Sequence, residues 1–307
     1  MEPEFNRVAI IGLGLIGGSI AAGMRQKGLA RSLVAWDANE LSLSTGRDLG
    51  IIDDTADSIA SVTSDADLII LCVPVKAMKA VLQQIDLSDQ IMTDVGSVKS
   101  QFLKEAKEVF GYLPERLVPG HPIAGSERHG VTAADPNLFA NHRVILTPGD
   151  NADLSAVAGV ESLWQGLGAQ TIKMSAKHHD DVLAQTSHLP HLLAYTLVDT
   201  LSSGGDSLEV FQYAAGGFRD FSRIAASDPT MWSDIFQANK QPLLDILDRY
   251  VGELAKLRDM VSSENGDAMK EVFSRAKAAR DHFSSIDRSS IDRSSIDRSS
   301  MDRSRDD

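Results

Sequence analysis

The chain has 307 residues, of which 43 % are hydrophobic and 24 % charged, enough to bury a sizeable core in two domains. Its formal net charge of −13 argues against nucleic acid and anionic membrane surfaces as partners, and requires that an anionic substrate be held by a few local cations. The single cysteine, Cys72, excludes an intramolecular disulfide and fits a reducing, cytoplasmic location; no apolar run approaches a membrane span, and Met1-Glu2-Pro3-Glu4-Phe5 does not resemble a signal peptide.

Val8-Ala9-Ile10-Ile11 is an apolar run of strand length. Gly12-Leu13-Gly14-Leu15-Ile16-Gly17 follows at once and fits G-x-G-x-x-G. Gly18 and Ser19 lead into a helix whose apolar face carries Ile20, Ala21 and Met24. Leu33-Val34-Ala35-Trp36 makes a second strand, which ends on Asp37. In such a unit Gly12 permits the sharp turn, Gly14 lets a pyrophosphate approach the backbone, and Gly17 lets helix and sheet pack closely. The first helical N–H groups, at Leu15, Ile16 and Gly17, then face the phosphates. Asp37, 20 residues after Gly17, is placed to accept hydrogen bonds from both ribose hydroxyls. It would repel a 2′-phosphate, so the expected cofactor is NAD rather than NADP. The alternative is the same fold with a vacant or unrelated site.

Strands and helices continue to alternate. A helix is expected over Leu41 to Leu49, stopped by Gly50, and a strand over Asp67 to Val73, closed by Pro74. Cys72 lies in that strand and reads as a buried residue rather than a nucleophile. Lys76 to Leu82 is helical, Ile91 to Asp94 a strand, and Lys99 to Phe110 a helix. Leu117-Val118 reads as a short strand delivering Gly120-His121-Pro122. Arg143 to Thr147 is a strand, Asp153 to Leu167 a helix, and Gln170 to Lys173 a last strand. The pattern predicts an α/β, doubly wound, mostly parallel sheet over residues 1–174.

Beyond Ser175 only helices are expected. Leu192, Leu193, Leu197, Val198 and Leu201 share one helix side. Leu243, Leu247, Val251, Leu254, Leu257 and Val261 recur every three or four residues, a stripe widened by Leu244, Ile246 and Tyr250. So wide a stripe suits core on one side and a subunit contact on the other, predicting an all-α domain over 175–283 that forms a homodimer. His178-His179-Asp180-Asp181 reads as a solvated helix start. The Ser-Ser-Ile-Asp-Arg repeat over 284–307 has a period matching neither helix nor strand, and is expected to be disordered.

Ligands in doubly wound sheets bind beyond the carboxyl ends of the strands, which singles out Val73 and Pro74, Asp94 to Lys99, and His121 to Glu127. A histidine fixed between a strand end and a Pro/Gly-rich loop suits proton transfer near neutrality. Several longer stretches then resemble the prephenate/arogenate dehydrogenases of tyrosine biosynthesis. They are Gly96-Ser97-Val98-Lys99, His121-Pro122-Ile123-Ala124-Gly125-Ser126-Glu127, Asn137-Leu138-Phe139, Val144-Ile145-Leu146-Thr147-Pro148, Ser187-His188-Leu189-Pro190-His191, Gly216-Gly217-Phe218-Arg219-Asp220-Phe221-Ser222-Arg223-Ile224-Ala225 and Ser227-Asp228-Pro229-Thr230-Met231-Trp232. The resemblance runs from about residue 7 to residue 283. Ala214-Ala215 stand where relatives often carry proline and glycine, the repeat tail is not a family feature, and neither a chorismate mutase segment nor a regulatory domain is expected.

The resemblance implies NAD-dependent oxidation of a cyclohexadienol with loss of CO2, yielding an aromatic product. His121 matches the family's catalytic histidine, and Ser97 a serine that contacts both it and the cofactor; read alone, Ser97 is a helix N-cap. Arg223 matches the arginine that clamps a substrate carboxylate, and Glu127 a carboxylate gating the cleft mouth. His191 matches a histidine lining the substrate site, with His188 in support; Pro190 between them is expected to kink the helix. The histidine pair lacks a third ligand, and no metal is expected. Tyrosine resembles the substrate and is a candidate feedback ligand that no residue marks. The other readings are a β-hydroxyacid-type dehydrogenase, which would rely on a lysine in the helical domain, and a non-catalytic NAD sensor.

Overall fold

The computed structural model describes residues 4–125, 128–203 and 212–283. Glu127 and the repeat tail of residues 284–307 lie outside them. By compactness the chain divides into one unit over Met1–Ile246 and a second from Leu247.

In the first unit, β1 (Phe5–Ile11), β2 (Ala30–Trp36), β3 (Asp54–Thr55), β4 (Leu68–Leu71) and β5 (Ile91–Asp94) form a parallel sheet in the order β3-β2-β1-β4-β5. Strand alternation sends Val8 and Ile10 into the core on one face and Ala9 and Ile11 into the core on the other. The helices covering these faces are α1 (Leu15–Lys27), α2 (Glu40–Asp48), α3 (Ile59–Thr63), α4 (Met78–Leu82) and α5 (Ser100–Phe110). The strand order reverses between β1 and β4, which places the glycine loop beside Cys72 and Val73 at the switch point. Cys72 falls just beyond β4 and is partly buried; burial, then the Asp94 charge, pushes its thiol far above the usual range, so it stays protonated.

The expected α/β architecture followed by helices is present, but the sheet is divided. Leu117-Val118 forms only a bridge, with the Val118 N–H donating to the Met92 carbonyl at 2.8 Å. Pro119 has no N–H with which to extend that ladder. The chain instead forms β6 (Gly120–Pro122), antiparallel to β7 (Arg143–Leu146), which pairs in parallel with β8 (Gln170–Lys173) across from α6 (Leu154–Gly166). His121 therefore lies inside a strand rather than in the loop after one.

The helical region starts with α7 (Ala176–Leu183), a π-helical segment over Ala184–His188 and α8 (Leu189–Ser202). Pro190 lies within one unbroken helical run from Ala176 to Ser202, just after its π-helical turn, and having no N–H it cannot donate to that turn. Next come α9 (Gly216–Ser222), a 3-10 turn over Arg223–Ala226, α10 (Pro229–Ala238) and α11 (Lys240–Ser262). In the second unit Tyr250, Val251, Leu254 and Val261 are exposed, as is Phe273 in the helical stretch 266–283.

Two glycines are fixed by contact. Gly12 has φ +95°, and a Cβ there would lie 2.5 Å from the Cys72 carbonyl oxygen; a Cβ on Gly17 would lie 2.0 Å from the Gly12 oxygen. A Cβ on Gly14 would meet nothing within 4 Å. Gly17→Ala should therefore lower stability by about 2 kcal/mol or more, whereas Gly14→Ala should leave it nearly unchanged. Thermal unfolding of the two variants checks this, and equal melting temperatures would contradict the packing account.

Candidate active site

The site is built on a buried ion pair. Asp94 closes β5, and Lys99 stands at the N-terminus of α5. Lys99 Nζ donates to Asp94 Oδ2 at 2.5 Å and to the Gly120 carbonyl at 2.7 Å. The Gly96 N–H donates to the same carboxylate oxygen at 2.8 Å, and the Gly120 N–H to Asp94 Oδ1 at 3.3 Å. Both side chains are fully buried. Burial pushes the Asp94 carboxyl up and the Lys99 ammonium down, each opposed by the other's charge. The pair joins the last strand of the first sheet to the first strand of the second.

His121 is the middle residue of β6, paired with Ile145 of β7. Its Nδ1 lies 2.8 Å from His179 Nε2, and the rings meet edge to face. His179 Nδ1 lies 2.8 Å from Asp180 Oδ1. The Asp180 carboxylate accepts the backbone N–H groups of Lys99 at 2.9 Å and Ser100 at 2.8 Å. Burial alone would raise the Asp180 carboxyl, but the hydrogen bonds from His179, Ser100 and Lys99 hold it below the usual range. For His121, burial first and then the charges of His179, Lys99 and His188 push the imidazole well below its usual range. It is neutral at physiological pH and so able to accept a proton.

Behind these groups, Asn239 Nδ2 donates to the Asp180 backbone carbonyl at 2.9 Å and lies 3.1 Å from His188 Nδ1. His188 is buried against Trp232. His191 is half-buried and stacks on Trp232 at 3.6 Å, and its Nδ1 meets the Ser187 carbonyl at 2.8 Å. Burial lowers the His191 pKa, the Ser187 bond opposes this, and the Arg223 charge lowers it further; Arg223, exposed in the 3-10 turn after α9, thus acts electrostatically on His191.

At the glycine loop, Gly14 is the N-cap of α1 and supplies no side-chain cap, leaving the first-turn N–H groups of Leu15, Ile16 and Gly17 for an anion. Asp37 is partly buried; its Oδ2 accepts the Leu13 N–H at 2.6 Å and its Oδ1 the Asn39 N–H at 2.8 Å. Val73 is partly buried, and exposed Pro74 caps the 3-10 turn Val75–Ala77. Open space above Gly14, uncapped amides and a carboxylate at the end of β2 together fit a dinucleotide.

Residues 20–173 match the family model described as the prephenate dehydrogenase nucleotide-binding domain, and residues 175–275 match the prephenate dehydrogenase dimerization domain. The chain belongs to the prephenate dehydrogenase family. A cyclohexadienyl dehydrogenase of Zymomonas mobilis is 39 % identical over 282 residues, covering 90 % of this chain and 95 % of that protein. A prephenate dehydrogenase of Bacillus subtilis is 38 % identical, covering 92 % and 77 %. Among solved structures, Aquifex aeolicus prephenate dehydrogenase in complex with hydroxyphenyl propionate and NAD+ aligns with a TM-score of 0.83 and 36 % identity, covering 90 % of this chain and 97 % of that one. Synechocystis arogenate dehydrogenase aligns with a TM-score of 0.75 and 25 % identity, covering 90 % and 99 %.

In this prephenate dehydrogenase family member two expectations change. His179 and Asp180 do not form a solvated helix start: they are 0 % and 2 % exposed, at the centre of the site. The sequence did hold a signal, because Leu183 and Ala184 follow them at helical spacing and are also buried. Ser97 is not the N-cap of α5. That position is Lys99, and the cap comes from Asp180, 80 residues from Ser100. The roles of Lys99 and Asn239 had no local signal, since their partners are distant in sequence.

The buried histidines give a pH dependence of stability. His188, pushed down to about 4 by burial, with the Asp180 charge opposing and His179 and His191 adding to it, is neutral when folded. The unfolded histidine takes up a proton near 6.5. The unfolded state therefore binds more protons between these values, and stability falls as pH drops through that window. His121 and His191 shift in the same direction. Asp180, held low, loses its contribution only in stronger acid. The urea midpoint should be level above about pH 7 and then decline towards pH 4 by the equivalent of about 3 kcal/mol for His188 alone. A midpoint constant over that interval would contradict the burial of neutral histidines.

Proposed function

We infer that the protein catalyses the NAD-dependent oxidative decarboxylation of prephenate to 4-hydroxyphenylpyruvate, of arogenate to tyrosine, or of both, acting as a cytoplasmic homodimer in tyrosine biosynthesis. The observation that carries this reading is a neutral, partly buried His121 backed by His179 and Asp180, in a chain whose glycine loop fits a dinucleotide. The Aquifex relative bound to NAD+ and hydroxyphenyl propionate supports the same cofactor and an aromatic-acid ligand.

NAD+, when bound, supplies the hydride acceptor. The amides of Leu15, Ile16 and Gly17 would hold its pyrophosphate, Asp37 its ribose, and Val73, Pro74 and Ser97 the approach to its nicotinamide. His121 would take the proton of the ring hydroxyl as hydride leaves the same carbon, a contribution of roughly 10²–10⁴-fold. Arg223 would clamp a substrate carboxylate through two parallel hydrogen bonds. His191, fixed against Trp232 and electrostatically linked to Arg223, would line the same pocket. Glu127 is proposed to gate the entrance, and tyrosine to act as a feedback ligand. Exposed Tyr250, Val251, Leu254 and Val261 supply an apolar face for the second subunit.

Initial rates with prephenate or arogenate, each with NAD+ or NADP+, test the reading. Turnover with NAD+ is expected, and preference for NADP+ would contradict the role given to Asp37. His121→Asn should lower kcat by about 10²-fold or more with NAD binding retained; an unchanged kcat would assign the base to another residue, and NAD binding without wild-type turnover would favour a sensor. Arg223→Ala should chiefly raise KM; an unchanged KM would remove the clamp.

A further inference from the structure

The hydrogen bonds behind His121 determine which of its nitrogens carries a proton. The Asp180 carboxylate can only accept, so the proton between Asp180 and His179 sits on His179 Nδ1. In neutral His179, Nε2 is then the bare nitrogen, and it accepts from His121 Nδ1–H. The lone pair of His121 is left on Nε2, the nitrogen not engaged by His179. The other tautomer of His179 would aim a bare nitrogen at a carboxylate.

The chain stops at Asp180. Its carboxylate oxygens meet His179 and the backbone N–H groups of Lys99 and Ser100, and its carbonyl accepts from Asn239. The backbone amides exchange no proton with it on the time scale of turnover. His179 itself is fully buried. The groups bearing charge or titrating around His121 are Lys99, held by Asp94 at the end of β5, His179 and Asp180 on α7, and His188 ahead of α8. Among the described residues, the hydrogen bonds around His179 therefore lead a proton no further than Asp180.

On the reading given under Proposed function, the reaction has matching needs. One proton leaves the ring hydroxyl as hydride departs from the same carbon and the carbonyl forms. The bond from ring to carboxylate then breaks, its electron pair enters the ring, CO2 leaves, and the ring oxygen becomes a phenolate that takes one proton back. No proton is gained or lost overall. We propose that His179 and Asp180 are positioning residues that hold His121 as its Nδ1–H tautomer and store the substrate's proton between oxidation and aromatisation. While Nε2 of His121 holds that proton, Nδ1 releases its own to His179, and the imidazolium pairs with Asp180; both transfers reverse when the phenolate forms. The N-terminus of α5 keeps Asp180 ionised throughout.

His179→Gln tests this, because a glutamine oxygen can accept from His121 Nδ1–H but cannot take up its proton. It should lower kcat about 10- to 100-fold while KM and NAD affinity stay unchanged. It should also alter the pH profile of kcat. An unchanged kcat and profile, or a loss confined to KM, would overturn the storage role. Independently of turnover, 15N-histidine spectra of the full-length wild-type protein report both tautomers, the His121 and His179 signals being identified by their absence in His121→Asn and His179→Gln, each checked to be folded by its circular dichroism. Nδ1–H at His121 and at His179 is expected near neutral pH. Nε2–H at His121, or an imidazolium at His179, would overturn the proposal. Absence of turnover in the wild-type protein would instead remove the assigned reaction, leaving the tautomers to decide the hydrogen-bond chain.

Discussion

The Asp94–Lys99 pair is the constraint on which the site depends. Its ammonium and carboxylate are both fully buried, and between them they contact Gly96 and Gly120. A buried pair of this kind adds little net stability over a well-packed apolar pair, because removing two charges from water costs about what their attraction returns. Its value here is registry. It fixes Gly120, and so the start of β6, at the end of β5. The two sheets, linked also through the Met92–Leu117 bridge just ahead of β6, are thereby locked at the strand that carries His121.

Lys99 also acts through its backbone. Its N–H and that of Ser100 begin α5 and are satisfied by Asp180 from α7, so a cap distant in sequence attaches the first helix of the helical region to the sheet. The same carboxylate holds His179 against His121. One short stretch, 94–100, thus organises the strand, the helix and the proton-handling side chains. The pattern is economical in charge: each buried ionised group has a partner, and the groups left neutral are histidines lowered chiefly by burial.

The glycine loop and most strand and helix positions were legible because their causes are local. Gly12 and Gly17 are required by contacts with Cys72 and with each other, and such contacts recur wherever this turn is built. His121 could be singled out from its proline- and glycine-rich surroundings. Its place inside a strand could not, because β6 exists only through pairing with β7, more than 20 residues away. His179 and Asp180 are hidden in the sequence because an acidic, histidine-rich helix start looks solvated when its partners, His121, Lys99 and Ser100, lie 58 to 81 residues upstream. Polar residues that are buried only by distant polar partners leave little trace in hydrophobic periodicity.

The central claim, that the buried pair works by placing His121, is tested most directly by a double-mutant cycle on kcat. Exchanging both charges, Asp94→Asn with Lys99→Met, avoids leaving one buried and unpaired. In the wild-type background this exchange should lower kcat about tenfold or more. In the His121→Asn background it should cause no further loss, because the residue it positions is already gone. The same fractional loss in both backgrounds would show that the pair acts independently of His121 and would contradict the account.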